Sequence, residues 1–371
     1  MKYYYLGFNR VYLNPWTEQV LACFNAVSEL IKCGPGFNLS IEILKENITN
    51  QDILIVDSLV LEHQKFKKMK RPFGSSYYGG DISEFPAQLE NMIEVFDSFK
   101  GKKIFIGNLD VYGASNELVK YIQENNIHVV SFSDKNTTLD YTKVNLSNSV
   151  IPYANPTSCW HYLVTSRPDL VISFPHFIDE NEFIIASLKE KRYFCDIPGV
   201  MYEDRRAAER LLTAPDKIRL MGYKAKRILD FLPNKLNGKL TFQKVKMLNL
   251  TFRMRIFNTK VVYTCGSLFD FPVRKFFEIP SQSSLLVCKP FFGMEHLGFK
   301  KGLTHLETKD LESLKKGEID ESIQEIATSG AKLVFEKHSS SARQKQLREC
   351  LDRIEKDEFL GSCWKSGSYE V

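Results

Sequence analysis

Apolar residues recur along this chain in two alternating patterns. Short unbroken runs, of which Ile53-Leu54-Ile55-Val56 is the clearest, lack apolar–polar alternation. They predict strands covered on both faces, as in a parallel sheet. Strand-like runs stand at Tyr3–Phe8, Leu39–Leu44, Asp52–Val60, Lys103–Asn108, His128–Phe132 and Asp169–Phe174. Between them the spacing turns helical. Val20, Phe24, Val27 and Ile31 share one helix face, behind an Asn14-Pro15 start signal. Glu84–Phe99 and Asn116–Asn125 also predict helices. The second half repeats the style. Arg192–Ile197 predicts a strand, followed by the turn Pro198-Gly199 and a helix from about Asp204. Lys260–Thr264 and Ser284–Cys288 predict further strands, and Asp310–Lys356 is mostly helical and charged.

Two α/β layers in succession predict two Rossmann-like domains. The break falls where Ser173-Phe-Pro175 ends a strand and the polar cluster Asp179–Glu182 follows, giving residues 1–175 and 176–371. The 371-residue length suits two domains at about 150 residues each. Hydrophobic residues at 43% and charged residues at 26% exclude disordered, collagen-like and coiled-coil chains. No apolar run approaches the ~20 residues that cross a bilayer. The run Tyr3–Phe8 is too short for a signal peptide.

Fifty Lys+Arg against 45 Asp+Glu leave a net +5, which permits an anionic partner without demanding nucleic acid. Eight cysteines without a Cys-x-x-Cys pair give no expectation of zinc or of a disulfide framework. Cys195, Cys265 and Cys288 lie in apolar stretches and read as reduced core residues of a cytosolic protein. No G-x-G-x-x-G is present, so a dinucleotide-binding dehydrogenase has no support.

Several stretches carry a resemblance. Pro175-His-Phe-Ile-Asp179-Glu-Asn-Glu-Phe183 resembles the interdomain segment of group 1 glycosyltransferases, with Phe177 in place of the usual glycine. Asp270-Phe-Pro-Val-Arg-Lys-Phe-Phe-Glu278 resembles that family's pair of carboxylates seven residues apart, with Asp first where Glu is usual. Ser283 stands where the family has glycine, and Pro280 requires any helix there to end early or start late. Asp196-Ile-Pro-Gly199, Tyr202, Arg205, Val273–Pro280, Ile326-Ala, His338-Ser and Arg343 together are similar to the CgeB-like branch. The resemblance covers roughly residues 170–350. It implies the GT-B fold, in which two Rossmann-like domains face across a cleft. The C-terminal one holds a nucleotide-sugar donor, and the N-terminal one takes the acceptor side.

The transition state of glycosyl transfer resembles an oxocarbenium ion. The leaving phosphate needs positive potential. The sequence has no Asp-x-Asp for a metal, so no metal or other cofactor is expected. Fixed cations and helix N-terminal N–H groups are the alternative. Candidates are Gly199, Arg205, Arg206, Arg274 and Lys275. A solvated helix face is the other reading of Arg205 and Arg206, and one of Arg274 and Lys275 is expected to face solvent. A carboxylate can accept both ribose hydroxyls. The resemblance gives that role to Glu278 and places Asp270 near the transferred sugar, with retention of configuration. A helix-dipole carboxylate and an Asp turn are the respective alternatives.

His176, at the expected hinge Pro175–Glu180, is a candidate for contact with sugar or acceptor. His338 is expected to cap or pack first and touch the donor second. Asp110, in Gly107-Asn-Leu-Asp-Val-Tyr-Gly113 after a strand, is a candidate base for an acceptor hydroxyl, or a loop acid without chemistry. Lys65-Phe-Lys-Lys-Met-Lys-Arg71 holds five cations. It is a solvated loop or an acceptor-side patch for a phosphorylated glycan, an anionic lipid head group or a polyanion. The leading expectation is a glycosyltransferase, free in the cytosol or held at the inner face of the membrane, acting on a glycan, lipid-linked or surface-polymer acceptor. A nucleic-acid-modifying sugar transferase and a non-catalytic GT-B-like binding or coat protein are the alternatives.

Overall fold

The computed structural model describes residues 1–9, 15–57, 60, 85–107, 116–139, 159–199, 203–211, 238–266, 270–316 and 319–371. The first half builds one six-stranded sheet. Its strands are β1 (Tyr3–Leu6), β2 (Leu30–Cys33), β3 (Ile53–Asp57), β4 (Lys102–Gly107), β5 (His128–Ser131) and β6 (Val171–Ser173), in the order β2-β1-β3-β4-β5-β6. Every pairing is parallel. Helices α1 (Pro15–Val27), α2 (Ile41–Asn47), α3 (Phe85–Ser98), α4 (Asn116–Glu124) and α5 (Cys159–Ser166) lie between the strands.

The unbroken apolar runs have the physical cause expected of them. Leu54, Val56, Phe105 and Val129 face a core that includes residues of α2 to α5. Their neighbours Ile53, Ile55, Ile104 and Val130 face another that includes α1. Both faces are covered, so both alternate sets are apolar.

The second half forms a four-stranded sheet, β7 (Tyr193–Asp196), β8 (Thr259–Thr264), β9 (Leu285–Cys288) and β10 (Leu306–Glu307), again all parallel, in the order β10-β9-β8-β7. Helices α6 (Glu203–Leu211), α7 (Gly238–Phe257), α8 (Lys275–Ser281) and α9 (Glu321–His338) belong to this half. Helix α10 (Ser340–Glu355) follows, and a hairpin of β11 (Cys363–Lys365) and β12 (Ser368–Glu370) ends the chain.

Helix α10 returns to the first sheet. Leu347, Cys350, Leu351 and Ile354 join the core that contains α1. The chain therefore crosses between the halves twice, and the crossings run side by side. Ile178 donates to the carbonyl of His338 and accepts from Ser340, both at 3.0 Å. Arg343 is fully buried between them. Its guanidinium donates to the carbonyls of Pro175 (3.2 Å) and Lys337 (3.1 Å) and to Nδ1 of His338 (2.7 Å). Burial lowers its pKa to about 9, which still leaves it charged at neutral pH. The final residues add another tie. Trp364 fills the core of the second half, while its backbone N–H reaches Asp134 Oδ2 of the first half at 2.9 Å.

Two local expectations are corrected. Leu39–Leu44 is not a strand. Ser40 caps a helix over Ile41–Asn47 by accepting from the backbone N–H of Ile43. The adjoining strand is Leu30–Cys33, where Ile31 had continued a helical spacing. Pro280 lies inside α8, which ends one residue later, as its missing N–H requires.

Candidate functional site

In an open parallel sheet, ligands bind beyond the carboxyl ends of the strands. Gly199 follows β7, Thr264 ends β8 with Cys265 and Gly266 after it, and Lys289 follows β9. These positions gather at one edge of the second sheet.

Gly199 holds φ +108°, a conformation that L side chains rarely adopt. A Cβ built there would meet Arg205 Nη1 at 2.5 Å and Lys275 Nζ at 2.9 Å. The two cations thus converge on the turn between β7 and α6. Arg205 is buried and donates from Nη2 to Thr264 Oγ1 at 3.3 Å. Its neighbour Arg206 is exposed, which settles that pair in favour of one inward and one outward cation. Lys275, at the start of α8, lies with Nζ 5.6 Å from the Phe252 ring centroid. Burial first and the Arg205 charge second lower its pKa to about 8, with Glu278, one turn along the helix, opposing both. Two cations held together beside a helix start make a place whose positive potential is relieved by an anion.

Asp270 stands on the rim of the same edge, at φ +51° in the left-handed region. Gly266 allows the loop to fold back on itself, because a Cβ there would sit 2.9 Å from Asp270 Cα. Burial raises the Asp270 pKa. Lys289 opposes that shift, Asp204 adds to it, and the carboxylate accepts from the Phe292 backbone. Lys289 and Asp204 are themselves paired at 3.1 Å. The sequence reading missed this pair. A lysine directly after an apolar strand and an acid beside Arg205 were the available signals.

Helix α8 carries the remaining candidates toward the seam between the halves. Arg274 Nε pairs with Glu278 Oε1 at 2.9 Å, and its Nη2 pairs with Glu182 Oε2 at 2.8 Å. Its Nη1 donates to Gln19 Oε1 of α1 at 3.3 Å, a contact between the two halves. Arg253 closes on the other oxygen of Glu182 at 3.2 Å. The expectation that one of Arg274 and Lys275 would face solvent is corrected, since neither side chain is exposed. Gln19 and Glu182 carried no sequence signal beyond a helix position and a loop acid.

His176 lies at this seam, stacked on Phe132 with centroids 4.9 Å apart. Its Nδ1 has no hydrogen-bond partner among the described residues. Burial, Arg274 and Arg343 hold its pKa down near 3, so it is a neutral imidazole at physiological pH. His338 is a packing residue. It donates from Nε2 to the Leu297 carbonyl at 2.8 Å while Nδ1 accepts from Arg343. Ser283 takes φ +52°, the conformation a glycine would supply, and its hydroxyl donates to the Ile184 carbonyl at 2.7 Å. Phe177 is wholly buried, edge-to-face with Phe174.

The structure therefore brings Gly199, Arg205, Lys275 and Asp270 to one sheet edge, with Arg274, Glu278 and His176 at the adjoining seam. Asp110, Tyr202 and the run Lys65–Arg71 lie outside the described residues. Among the described residues, no group of three or more His, Cys, Asp and Glu is placed to hold a metal ion.

No protein-family model matches this sequence. No curated protein matches it either. Solved structures do. A glycosyltransferase from Rickettsia africae ESF-5 is 12% identical, with 96% of this chain and 99% of that chain covered and a TM-score of 0.50. HepE of Anabaena, in complex with UDP and glucose, is 8% identical over 95% of this chain and 99% of that one, with a TM-score of 0.48. The likeness to the first, over nearly the whole of both chains, together with the two parallel sheets, defines the fold as the GT-B arrangement of two Rossmann-like units.

Proposed function

We propose that this protein is a glycosyltransferase that moves a sugar from a nucleotide-activated donor to a glycan, lipid-linked or surface-polymer acceptor. The observation that carries the reading is the convergence of Arg205 and Lys275 on the Gly199 turn. A diphosphate placed there meets two fixed positive charges and the N-terminal end of α6, which stabilise the leaving group without calling on a metal. Glu278, close beyond Lys275 on the same helix, is positioned to accept the ribose hydroxyls of the donor. Asp270 lies where it can meet the transferred sugar. Its proximity to Lys289 and Asp204 makes that cluster a second set of polar contacts.

In this reading the donor side is 176–371 and the acceptor side 1–175, with α10 crossing back to support the acceptor half. Retention of configuration and membership of the CgeB-like branch follow the sequence resemblance. Asp110 as acceptor base, Lys65–Arg71 as a contact for an anionic lipid or glycan, and a cytoplasmic setting are parts of the same proposal. His176, a neutral ring at the seam, is assigned to hydrogen bonding with substrate and not to proton abstraction at neutral pH, because its pKa is too low for a base.

The test is a thermal-stability series against a panel of nucleoside diphosphates and nucleotide sugars. One base should stabilise the protein by about 2.7 kcal/mol at a hundredfold excess over Kd. Glu278→Ala should abolish that response and remain folded. If no nucleotide changes the melting temperature of the parent, the enzyme reading fails.

A further inference from the structure

The segment after β9 is held on three sides, yet it leaves one aromatic ring in water. Phe291 is buried, with its ring centroid 4.7 Å from that of Phe276 on α8. The Phe292 backbone N–H donates to the Asp270 carboxylate. Gly293 follows at φ +76° and lies against the first half of the chain. A Cβ built there would meet the Asn136 carbonyl oxygen at 2.1 Å and Thr137 Cα at 3.0 Å. Phe292 stands among these fixed points, and it is 45% exposed. A ring whose backbone is already tethered can meet a ligand without further ordering, which lowers the cost of binding.

The strand order indicates which part of a substrate lies there. Gly199 follows β7, Asp270 lies in the segment after β8, and Phe292 in the segment after β9. These three strands are consecutive neighbours in the sheet. Neighbouring strands lie about 4.8 Å apart, so the three positions spread over about 10 Å. With a diphosphate at Gly199 and the transferred sugar at Asp270, the position after β9 falls to the group that receives the sugar. Its other neighbour agrees with this. Asn136 and Thr137, on which Gly293 packs, follow β5 in the half assigned to the acceptor.

A sugar ring has hydroxyl edges and a face of C–H bonds. Asp270, Lys289 and Asp204 offer polar partners for the edges, and Phe292 offers a flat apolar surface beside them. A polyol phosphate or the hydroxyl of a protein side chain has no ring face to lay on it. We propose that Phe292 is the platform for a pyranose ring of the acceptor, which makes the acceptor a saccharide. The inference rests on the reading of the Gly199 turn and Asp270 as the donor site.

The experiment uses the full chain. Phe292→Trp places a fluorescent reporter at the ring, against three native tryptophans that are all buried. Its emission should shift on titration with at least one of the trisaccharides of glucose, N-acetylglucosamine, galactose and mannose. It should not respond to sorbitol or glycerol 3-phosphate, which carry hydroxyls without a ring face. The responding trisaccharide should take up sugar from the nucleotide sugar that stabilises the parent, with transfer followed by mass spectrometry. In that assay Phe292→Ala and Phe292→Leu should each raise the acceptor KM about 3- to 10-fold, the size of a lost aromatic contact. Phe292→Tyr keeps the flat ring and should restore the parent KM. All of these variants change an exposed ring, so they should melt with the parent and bind nucleoside diphosphates as it does. No response to any trisaccharide, equal acceptor KM in the parent and Phe292→Leu, or transfer to glycerol 3-phosphate as readily as to a trisaccharide would each overturn the proposal. Loss of nucleotide affinity in a folded Phe292→Ala would also overturn it, by making the ring a nucleobase platform. A chain that binds nucleotides yet ignores every saccharide fails this inference alone, whereas a parent that binds no nucleotide fails the donor reading beneath it.

Discussion

Lys275→Met should make this protein more stable and less able to bind a nucleotide. The two effects have one cause. Lys275 Nζ and Arg205 Nη1 converge on Gly199, and burial with the neighbouring arginine lowers the lysine pKa from 10.5 to about 8. That drop corresponds to about 3 kcal/mol against the charged form. Solvent at the open side of the site and loss of the Glu278 attraction reduce the recoverable part to about 1–3 kcal/mol. Methionine keeps the stem and its contact with Phe252. Denaturant unfolding at pH 7 should therefore show a gain of that size. The gain should also depend on pH in one direction. Between about pH 8 and 10.5 the unfolded chain binds a proton at this site that the folded one has released, so the parent is stabilised as pH rises. The advantage of the variant is full below pH 8 and gone above 10.5. Titration calorimetry with nucleoside diphosphates should show the opposite sign, a loss of about 10- to 100-fold for one charge-assisted hydrogen bond. A variant that is less stable than the parent, or that binds the nucleotide equally well, refutes the reasoning.

Gly199→Ala should cost about 1–3 kcal/mol in unfolding experiments, since it combines a positive φ with a methyl group against a buried guanidinium. Unchanged stability would contradict the close approach. Asp270→Asn preserves the left-handed backbone, which asparagine tolerates, and should lower turnover more than donor affinity in steady-state kinetics; a change in donor affinity alone would move Asp270 away from the transferred sugar. Asp196→Ala strips the partner from Arg255 at a carboxylate that is 1% exposed and should destabilise by about 3–5 kcal/mol, read from the denaturation midpoint. A loss under 1 kcal/mol would mean that the pair is solvated.

Strands buried on both faces announce themselves, and the runs at Ile53–Val56, Lys103–Asn108 and Ser284–Cys288 fall on β3, β4 and β9. The edge of the sheet was less legible. Leu30–Cys33 is four residues long and carries Lys32, so the helical spacing through Val27 and Ile31 outweighed it. The Ser40 cap was visible as a hydroxyl ahead of an apolar run, but Leu39, Ile41, Ile43 and Leu44 also fit a strand. Within the site, residues that cluster by chain proximity could be read: Arg205 after Gly199, and Arg274 at the cap of one short helix that carries Lys275 and Glu278. Contacts made by the fold alone could not. Nothing near Gln19 marks it as the acceptor for Arg274, and Lys289 meets Asp204 only because β9 ends and α6 begins at the same edge. Ser283 shows a different limit, since a serine gave no sign that it would take the backbone shape of glycine.

The return of α10 has a consequence for biosynthesis. Leu347, Cys350, Leu351, Ile354 and Phe359 complete the apolar layer beneath strands that were made more than 170 residues earlier. While the ribosome is still translating the second half, the nascent first sheet has one flank unsealed. Its final consolidation must wait until α10 has been made, and until then a holdase-type chaperone has an apolar surface to grip.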